Sequence, residues 1–375
     1  MFSLNDDQVI VVKCKSYDRD EVSKAYDTIF SYFANDEIKG KSVYIKPNIL
    51  KGDKPERAST TNPEIIYPVA KYLKSLDCNV SCGDSPNFIT IKKMIDSIYS
   101  ATGIAKVVEE AGCKMDNSSR GTTVEGGKYL SEFKMLTNVL NSDVVINIAK
   151  AKTHSFTGYT GTVKNLFGVI PGPVKGELHL SNASAKDFSN CMIDICETVN
   201  ADFHIVDGVI GMEGPGPSSG TPKRMGVIVA GKNPYAVDEV VVELMGINKA
   251  NVEQIKLARD RNLTKPIDEL EILGADLEEL KSKYVPFKDA VISVASYWKV
   301  LRFLLPNKFI MRLKKKPFVQ KECIACGICA EACPPNAIKI KDIAEINYQK
   351  CIKCYCCQEL CPAKAIVIGK NNNEN

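Results

Sequence analysis

The chain has 375 residues, 45% hydrophobic and 25% charged, with 49 Lys plus Arg against 45 Asp plus Glu and a formal net charge of +4. These proportions exclude a disordered, collagen-like or coiled-coil chain and fit two or three globular domains. Seven basic residues and no acidic one lie between Lys299 and Lys316, so the remainder carries 4 − 7 = −3, which is no footprint for nucleic acid.

Asp6 and Asp7 stand where a signal peptide would carry positive charge. No apolar run approaches the roughly 18 to 20 residues that span a bilayer. A cytoplasmic chain is therefore expected, and in that compartment clustered cysteines point to metal rather than disulfides.

Residues 1–285 read as α/β, with a mainly parallel sheet covered by helices. Gln8 to Lys13 is a β-branched run, followed by a helical pattern from Arg19 to Ala34. Ser42 to Lys46 is a second strand. Asn62 before Pro63 marks a helix start, N-cap then proline at the first helical position, running to about Leu76. Strands follow at Asn79 to Cys82, Asp143 to Ala149, Phe203 to Val206 and Met225 to Ala230. Helices are expected at Gly103 to Ala111, Lys186 to Val199, Pro234 to Met245 and Val252 to Arg259. In such sheets ligands bind beyond the carboxyl ends of the strands. Lys46-Pro47-Asn48, Gly83-Asp84-Ser85-Pro86, Lys152-Thr153-His154 and Asp207-Gly208 occupy those ends. A Gly/Pro-rich stretch from Gly211 to Gly220, carrying Glu213, is longer than a turn needs and reads as a binding loop.

Lys150 to Leu180 is the segment densest in chemistry. It holds Lys150, Lys152, His154, Lys164, Lys175 and His179 among many Gly and Thr residues. It reads as a loop wrapped round an anionic ligand, or else as a solvated basic loop. His154 and His179 are the acid/base or metal-ligand candidates, since imidazole titrates near neutrality. His204 alternates within an apolar strand and reads as structural.

Residues 286–316 form a basic connector. It suits a helix docking the tail on the α/β domain better than a peripheral membrane contact.

Residues 323–340 and 351–368 are a tandem repeat offset by 28, identical at ten of 18 positions. Each copy has the spacing C-x2-C-x2-C-x3-C-P of bacterial ferredoxins, in which the fourth cysteine ligates the other cluster. Cys323, Cys326, Cys329 and Cys361 are assigned to one [4Fe–4S] cluster, and Cys351, Cys354, Cys357 and Cys333 to a second. A zinc site is the competing expectation, disfavoured by two complete copies each with Cys-Pro. Residues 317–370 therefore form a small α+β ferredoxin domain, and residues 371–375 a disordered tail.

The motifs Lys46-Pro47-Asn48, Gly83-Asp84-Ser85-Pro86, Lys152-Thr153-His154, Gly161-Thr162-Val163-Lys164-Asn165-Leu166-Phe167-Gly168 and Asp207-Gly208 resemble the family catalogued as domain of unknown function 362. Its members often carry a C-terminal ferredoxin domain. The resemblance implies an anaerobic or redox-linked protein. His154 to Lys164, followed by Pro171-Gly172, is more distantly similar to a motif of the nickel-pincer lactate racemases. That similarity implies His154 as acid/base, Lys164 as cofactor-holding residue and His179 near the place of a nickel ligand. The paired His/Arg loop and the Gly-Gly before the lysine are absent here, so a shared site position is expected rather than a shared reaction.

The expected function is an iron–sulfur oxidoreductase passing electrons between two [4Fe–4S] clusters and an anionic substrate or cofactor in the α/β domain. The alternatives are an electron-transfer protein without its own catalysis and a metal-cofactor isomerase. His154, Lys164 and His179 are the catalytic candidates. Lys152, Thr153, Asn165, Asp84 and Glu213 are the binding candidates, with Asp238 a weaker polar contact. A redox partner protein and an anionic small molecule are the expected partners, and a further metal or organic cofactor is left open.

Overall fold

The computed structural model describes residues 2–86, 91–286 and 315–369. In chain order the strands of the larger part are β1 (Gln8–Lys13), β2 (Ser42–Pro47), β3 (Asn79–Gly83), β4 (Lys114–Asp116), β5 (Gly121–Glu125), β6 (Glu132–Leu136), β7 (Val144–His154), β8 (Gly158–Thr160), β9 (Phe203–Glu213), β10 (Thr221–Gly231) and β11 (Glu271–Gly274). β5 and β6 form a separate hairpin. The others make one sheet in the order β11-β1-β10-β9-β7-β2-β3-β4, with β8 on β7. Along this order only β10 runs against its neighbours. The rest are parallel, as expected for an α/β chain.

Alternation along the parallel strands sends side chains into cores on both faces, which is why these runs are almost wholly apolar. Val43, Ile45, Ile146 and Ile148 pack with Val69 and Leu73 of the helix Pro63–Ser75 on one face. Tyr44 and Val145 pack with Phe188 and Ile193 of the helix Ala185–Val199 on the other. Ala149, Ala151 and Val206 join a third cluster under Val237 and Val241 of the helix Pro234–Leu244.

Two strands are longer than their apolar runs. β7 continues through Lys150 to His154 and is buried along its whole length. Lys150–His154 is therefore not the start of a loop, because Lys150 pairs in register with Asp207 and Lys152 with Met212 of β9. β9 likewise carries Asp207-Gly208 and Gly211 to Glu213 inside the strand. The expected loop from Lys150 to Leu180 is instead the end of β7, β8, a short helix Thr162–Asn165, a 3-10 turn and the helix Gly172–Ser181.

The tail contributes β12 (Lys316–Val319), β13 (Ile338–Ile340), β14 (Ala344–Ile346) and β15 (Ile366–Gly369), paired β12 with β15 and β13 with β14. The sequence repeat is also a backbone repeat. Left-handed residues recur 28 apart: Ala325 and Lys353, Gly327 and Tyr355, Asn336 and Lys364. Residues 287–314 and 370–375 lie outside the described residues, and with them most of the connector and the expected disordered tail. Among the described residues no helix is long and apolar enough to cross a membrane.

The start of the helix Pro63–Ser75 forms as its sequence requires. Asn62 has extended backbone and its side chain accepts from the Glu64 N–H at 3.0 Å. Asn62→Ala is expected to lower stability by about 1 kcal/mol. The check is a lower urea midpoint with unchanged slope.

Candidate active site

The carboxyl ends of three adjacent parallel strands converge. β2 delivers Lys46 and the following Asn48, β3 delivers Asp84 and Ser85 just past its end, and β7 delivers Lys152 and His154. Together with Lys164, Asn165, Lys175 and His179 they line a cleft of about 680 Å³ of atom-free space, its open mouth included. The remaining wall comes from the ferredoxin tail. Cys356, Glu359 and Leu360 of the short helix Cys356–Leu360 face the same space.

That helix is held on the α/β domain by specific bonds. Ser218 Oγ donates to Glu359 O at 2.6 Å and Gln358 Nε2 to Pro215 O at 3.1 Å. Lys51 Nζ lies 3.4 Å from Cys361 O, and Tyr355 packs with Phe156. The Gly/Pro loop after β9 is thus a seat for the tail, with Pro217 reaching the cleft.

Asp84 is fixed on both oxygens. Oδ1 is 2.9 Å from Lys46 Nζ and accepts from the Ser85 N–H at 2.7 Å, while Oδ2 accepts from the Ile49 N–H at 2.7 Å. A Cβ at Gly168 would collide with Asp84 Oδ1 and Lys46 Nζ, so only glycine permits this close approach. Lys152 Nζ donates to Asn48 Oδ1 and Ser59 O, both at 2.7 Å. A buried amide chain extends from there: Asn48 Nδ2 to Asn165 Oδ1, Asn165 Nδ2 to Asn147 Oδ1, and Asn147 Nδ2 to His204 Nδ1. His204 is therefore tied into the strands' hydrogen bonding, away from the cleft.

Lys164 is different. Its ammonium stands 5.8 Å from the ring centroids of Phe167 and Phe188. Among the described residues it makes neither a hydrogen bond nor an ion pair. Asp238 holds its backbone, accepting from the Thr162 and Val163 N–H groups and from Tyr159 Oη. Asp238 thus positions Lys164 without lining the cleft. Burial lowers Lys164 below the ordinary lysine value, opposed by Glu359 and Cys356.

His154 Nδ1 accepts from the backbone N–H of Phe156 at 3.0 Å and of Thr157 at 3.3 Å. This bonding assigns the ring proton to Nε2. Nε2 lies 3.3 Å from Glu359 Oε1, near but misaligned, and both atoms are buried without a hydrogen-bond partner. Burial, then the charges of Lys164 and Lys152, hold His154 well below the usual imidazole range. His179 stacks on Phe188 at 4.3 Å with Nδ1 unpartnered, and burial pushes it down to about 3. Both histidines are neutral at physiological pH, and His154 presents an N–H donor rather than a base to the cleft.

Of the residues expected from sequence, His154, Lys164, His179, Lys152, Asn165 and Asp84 share this cleft. Thr153 does not, because alternation along β7 turns its Oγ1 to Gly214 O at 2.9 Å. Glu213 also lies elsewhere, accepting from Lys223 Nζ at 3.0 Å and the Val285 N–H at 2.9 Å. Lys46, Asn48, Lys175, Cys356 and Glu359 are members of the cleft that the motifs alone did not single out.

The tail sorts its thiols as the spacing expects. Cys329 feels the charges of Cys326, Cys323 and Cys361, whereas Cys333 feels Cys354 and Cys351. Cys333, Cys351, Cys354 and Cys357 line one cavity of about 320 Å³. Ala337 N–H donates to Cys333 Sγ and Ala365 N–H to Cys361 Sγ, each at 3.2 Å. Four converging thiols, a space among them and N–H donors to sulfur fit an iron–sulfur cube. Among the described residues no three His, Cys, Asp or Glu side chains stand close enough to hold a single metal ion.

Residues 43–243, more than half of the chain, match the family model described as a domain of unknown function, DUF362. The chain belongs to that family. Residues 322–365 of this DUF362 protein match a 4Fe-4S dicluster domain, which indicates [4Fe–4S] binding and an electron-transfer role. It is 26% identical over 271 residues, 72% of this chain and 79% of the relative, to a thylakoid-associated protein of Synechocystis. Over 39 residues, 10% of this chain and 19% of the relative, it is 51% identical to an uncharacterized polyferredoxin-like protein of Methanocaldococcus jannaschii. Among solved structures it is similar to the lactate racemase apoprotein from Thermoanaerobacterium thermosaccharolyticum, with TM-score 0.38 and 15% identity over 60% of this chain and 56% of that one. A Thermotoga maritima protein gives TM-score 0.33 and 15% identity over 54% of this chain and 52% of that one. The chain thus spans about half the length of these structures.

Burial lowers Lys152 and Lys175 to about 7. Below that pH both carry charge, and above it both lose it, so an anion binds more tightly as pH falls. Sulfate, fully ionised throughout, is expected to bind roughly tenfold or more tightly at pH 6 than at pH 8. Titration calorimetry at the two values checks this, and Lys152→Met with Lys175→Met should flatten the dependence.

Proposed function

We propose that this chain is an iron–sulfur oxidoreductase in which two [4Fe–4S] clusters exchange electrons with a small anionic substrate held in the cleft between the two domains. The observation that carries this is the shared wall: the helix Cys356–Leu360, flanked by cluster cysteines, faces His154, Lys164 and His179 across one space. A pure electron carrier has no need of a cleft lined by neutral histidines and buried lysines.

The first quartet is the outer one, because Cys326 is exposed. A redox partner protein would approach there. In the second quartet Cys354 and Cys357 are buried, next to the cleft. When bound, each [4Fe–4S] cluster supplies one-electron capacity at low potential. The chain's own groups do the rest. With all lysines charged, Lys46, Lys152, Lys164 and Lys175 against Asp84 and Glu359 leave 4 − 2 = +2, which suits a dianion. Lys164 and Lys152 neutralise it, Phe167 and Phe188 keep water from Lys164, and His154 Nε2–H donates a hydrogen bond or proton as charge develops on the substrate.

Anaerobically purified protein is expected to carry about eight iron atoms per chain and, after dithionite reduction, two [4Fe–4S] signals by EPR. Small dicarboxylates and sulfonates are then offered to the reduced protein and cluster reoxidation is followed. His154→Ala and Lys164→Ala are each expected to slow the productive reaction by roughly 10²-fold or more at full iron content. Zinc in place of iron overturns the redox function. Undiminished rates in both variants overturn the site.

A further inference from the structure

Cys356 is the ninth cysteine of the tail, and neither quartet uses it. Its counterpart in the first copy is Ile328, which is 40% exposed, whereas Cys356 is 3% exposed. It lines the cavity among Cys333, Cys351, Cys354 and Cys357 and also the cleft of His154, Lys164 and His179. No other described residue lines both.

Its thiol and its backbone N–H are both hydrogen-bonded to Cys354 Sγ. The space on its other side is built for a ligand. His154 Nε2, His179 Nδ1 and Glu359 Oε1 all border it and lack hydrogen-bond partners, on side chains that are more than nine-tenths buried.

We propose that Cys356 is the positioning residue that joins the two spaces: by donating its S–H to the sulfur of Cys354 it sets the potential of the cleft-side cluster apart from that of the outer one. This rests on the [4Fe–4S] assignment of the tail. A hydrogen bond to a ligand sulfur stabilises the reduced, more negative cluster and raises its potential. Ile328 offers no such donor to the first quartet, so two copies of one motif acquire different potentials. The cleft-side copy becomes the better electron acceptor, and electrons entering at Cys326 run inward. The balance is one electron per step, supplied by dithionite in the titration, with the Cys356 proton retained.

The test is an EPR-monitored redox titration of the full chain, with iron measured on each sample. Absence of [4Fe–4S] signals in the unaltered protein would sink the cluster assignment itself. With both signals present, Cys356→Ala and the volume-filling Cys356→Val are expected to keep about eight iron atoms and to move one midpoint to more negative potential. The other midpoint stays in place. Cys356→Ser, which keeps a hydroxyl donor, should fall between these and the unaltered protein. Unchanged midpoints in all three variants, or equal movement of both signals, overturn the proposal.

Discussion

Everything in the cleft depends on how lysine ammonium groups are kept inside a protein. Lys46, Lys150 and Lys152 are each at most 1% exposed. Burying an unpaired charge costs several kcal/mol, so each demands a partner or gives up its proton. Lys150 has Asp207 at 2.7 Å, and Lys46 has Asp84 at 2.9 Å. Lys152 has only Asn48 and the Ser59 carbonyl, and Lys164 has only aromatic rings. The carboxylate that offsets these last two is Glu359, which arrives with the ferredoxin tail. The two domains are thus electrostatically complementary at the one place where they enclose a space.

The same crowding decides the protonation of the histidines. An imidazolium beside Lys164 and Lys152 would add a third positive charge, so His154 stays neutral, with its donor direction fixed by two backbone N–H groups on Nδ1. Proton donation in the cleft is therefore a matter of orientation more than of pH, while the charge available to an anion is set by the lysines.

How much of this was legible in the sequence depended on the range of the interaction. Cluster ligands sit three or four residues apart, so spacing alone sorted all eight cysteines. The helix at Pro63 and the apolar strand runs are equally local. What escaped was long-range. Lys150 to His154 and Asp207 to Glu213 look like loops because Lys, Asp and Gly are poor strand formers, yet each segment is the other's partner across 57 residues at Lys150 and Asp207. Thr153 shared a motif with its neighbours but not a direction, since successive strand side chains alternate. Glu359 and Cys356 gained roles only when the tail docked. The one available signal was the substitution of Cys356 for Ile328 in an otherwise repeated helix.

The crossed ligands of the tail carry a consequence for its robustness. A duplicated segment ordinarily offers a spare, so that damage to one copy leaves the other intact. Here Cys333 lies among the thiols of the second copy and Cys361 among those of the first. Each half lacks its fourth thiol without the other. The duplication therefore gives no redundancy, and an oxidative lesion at either end is felt by both copies and by the cleft wall between them.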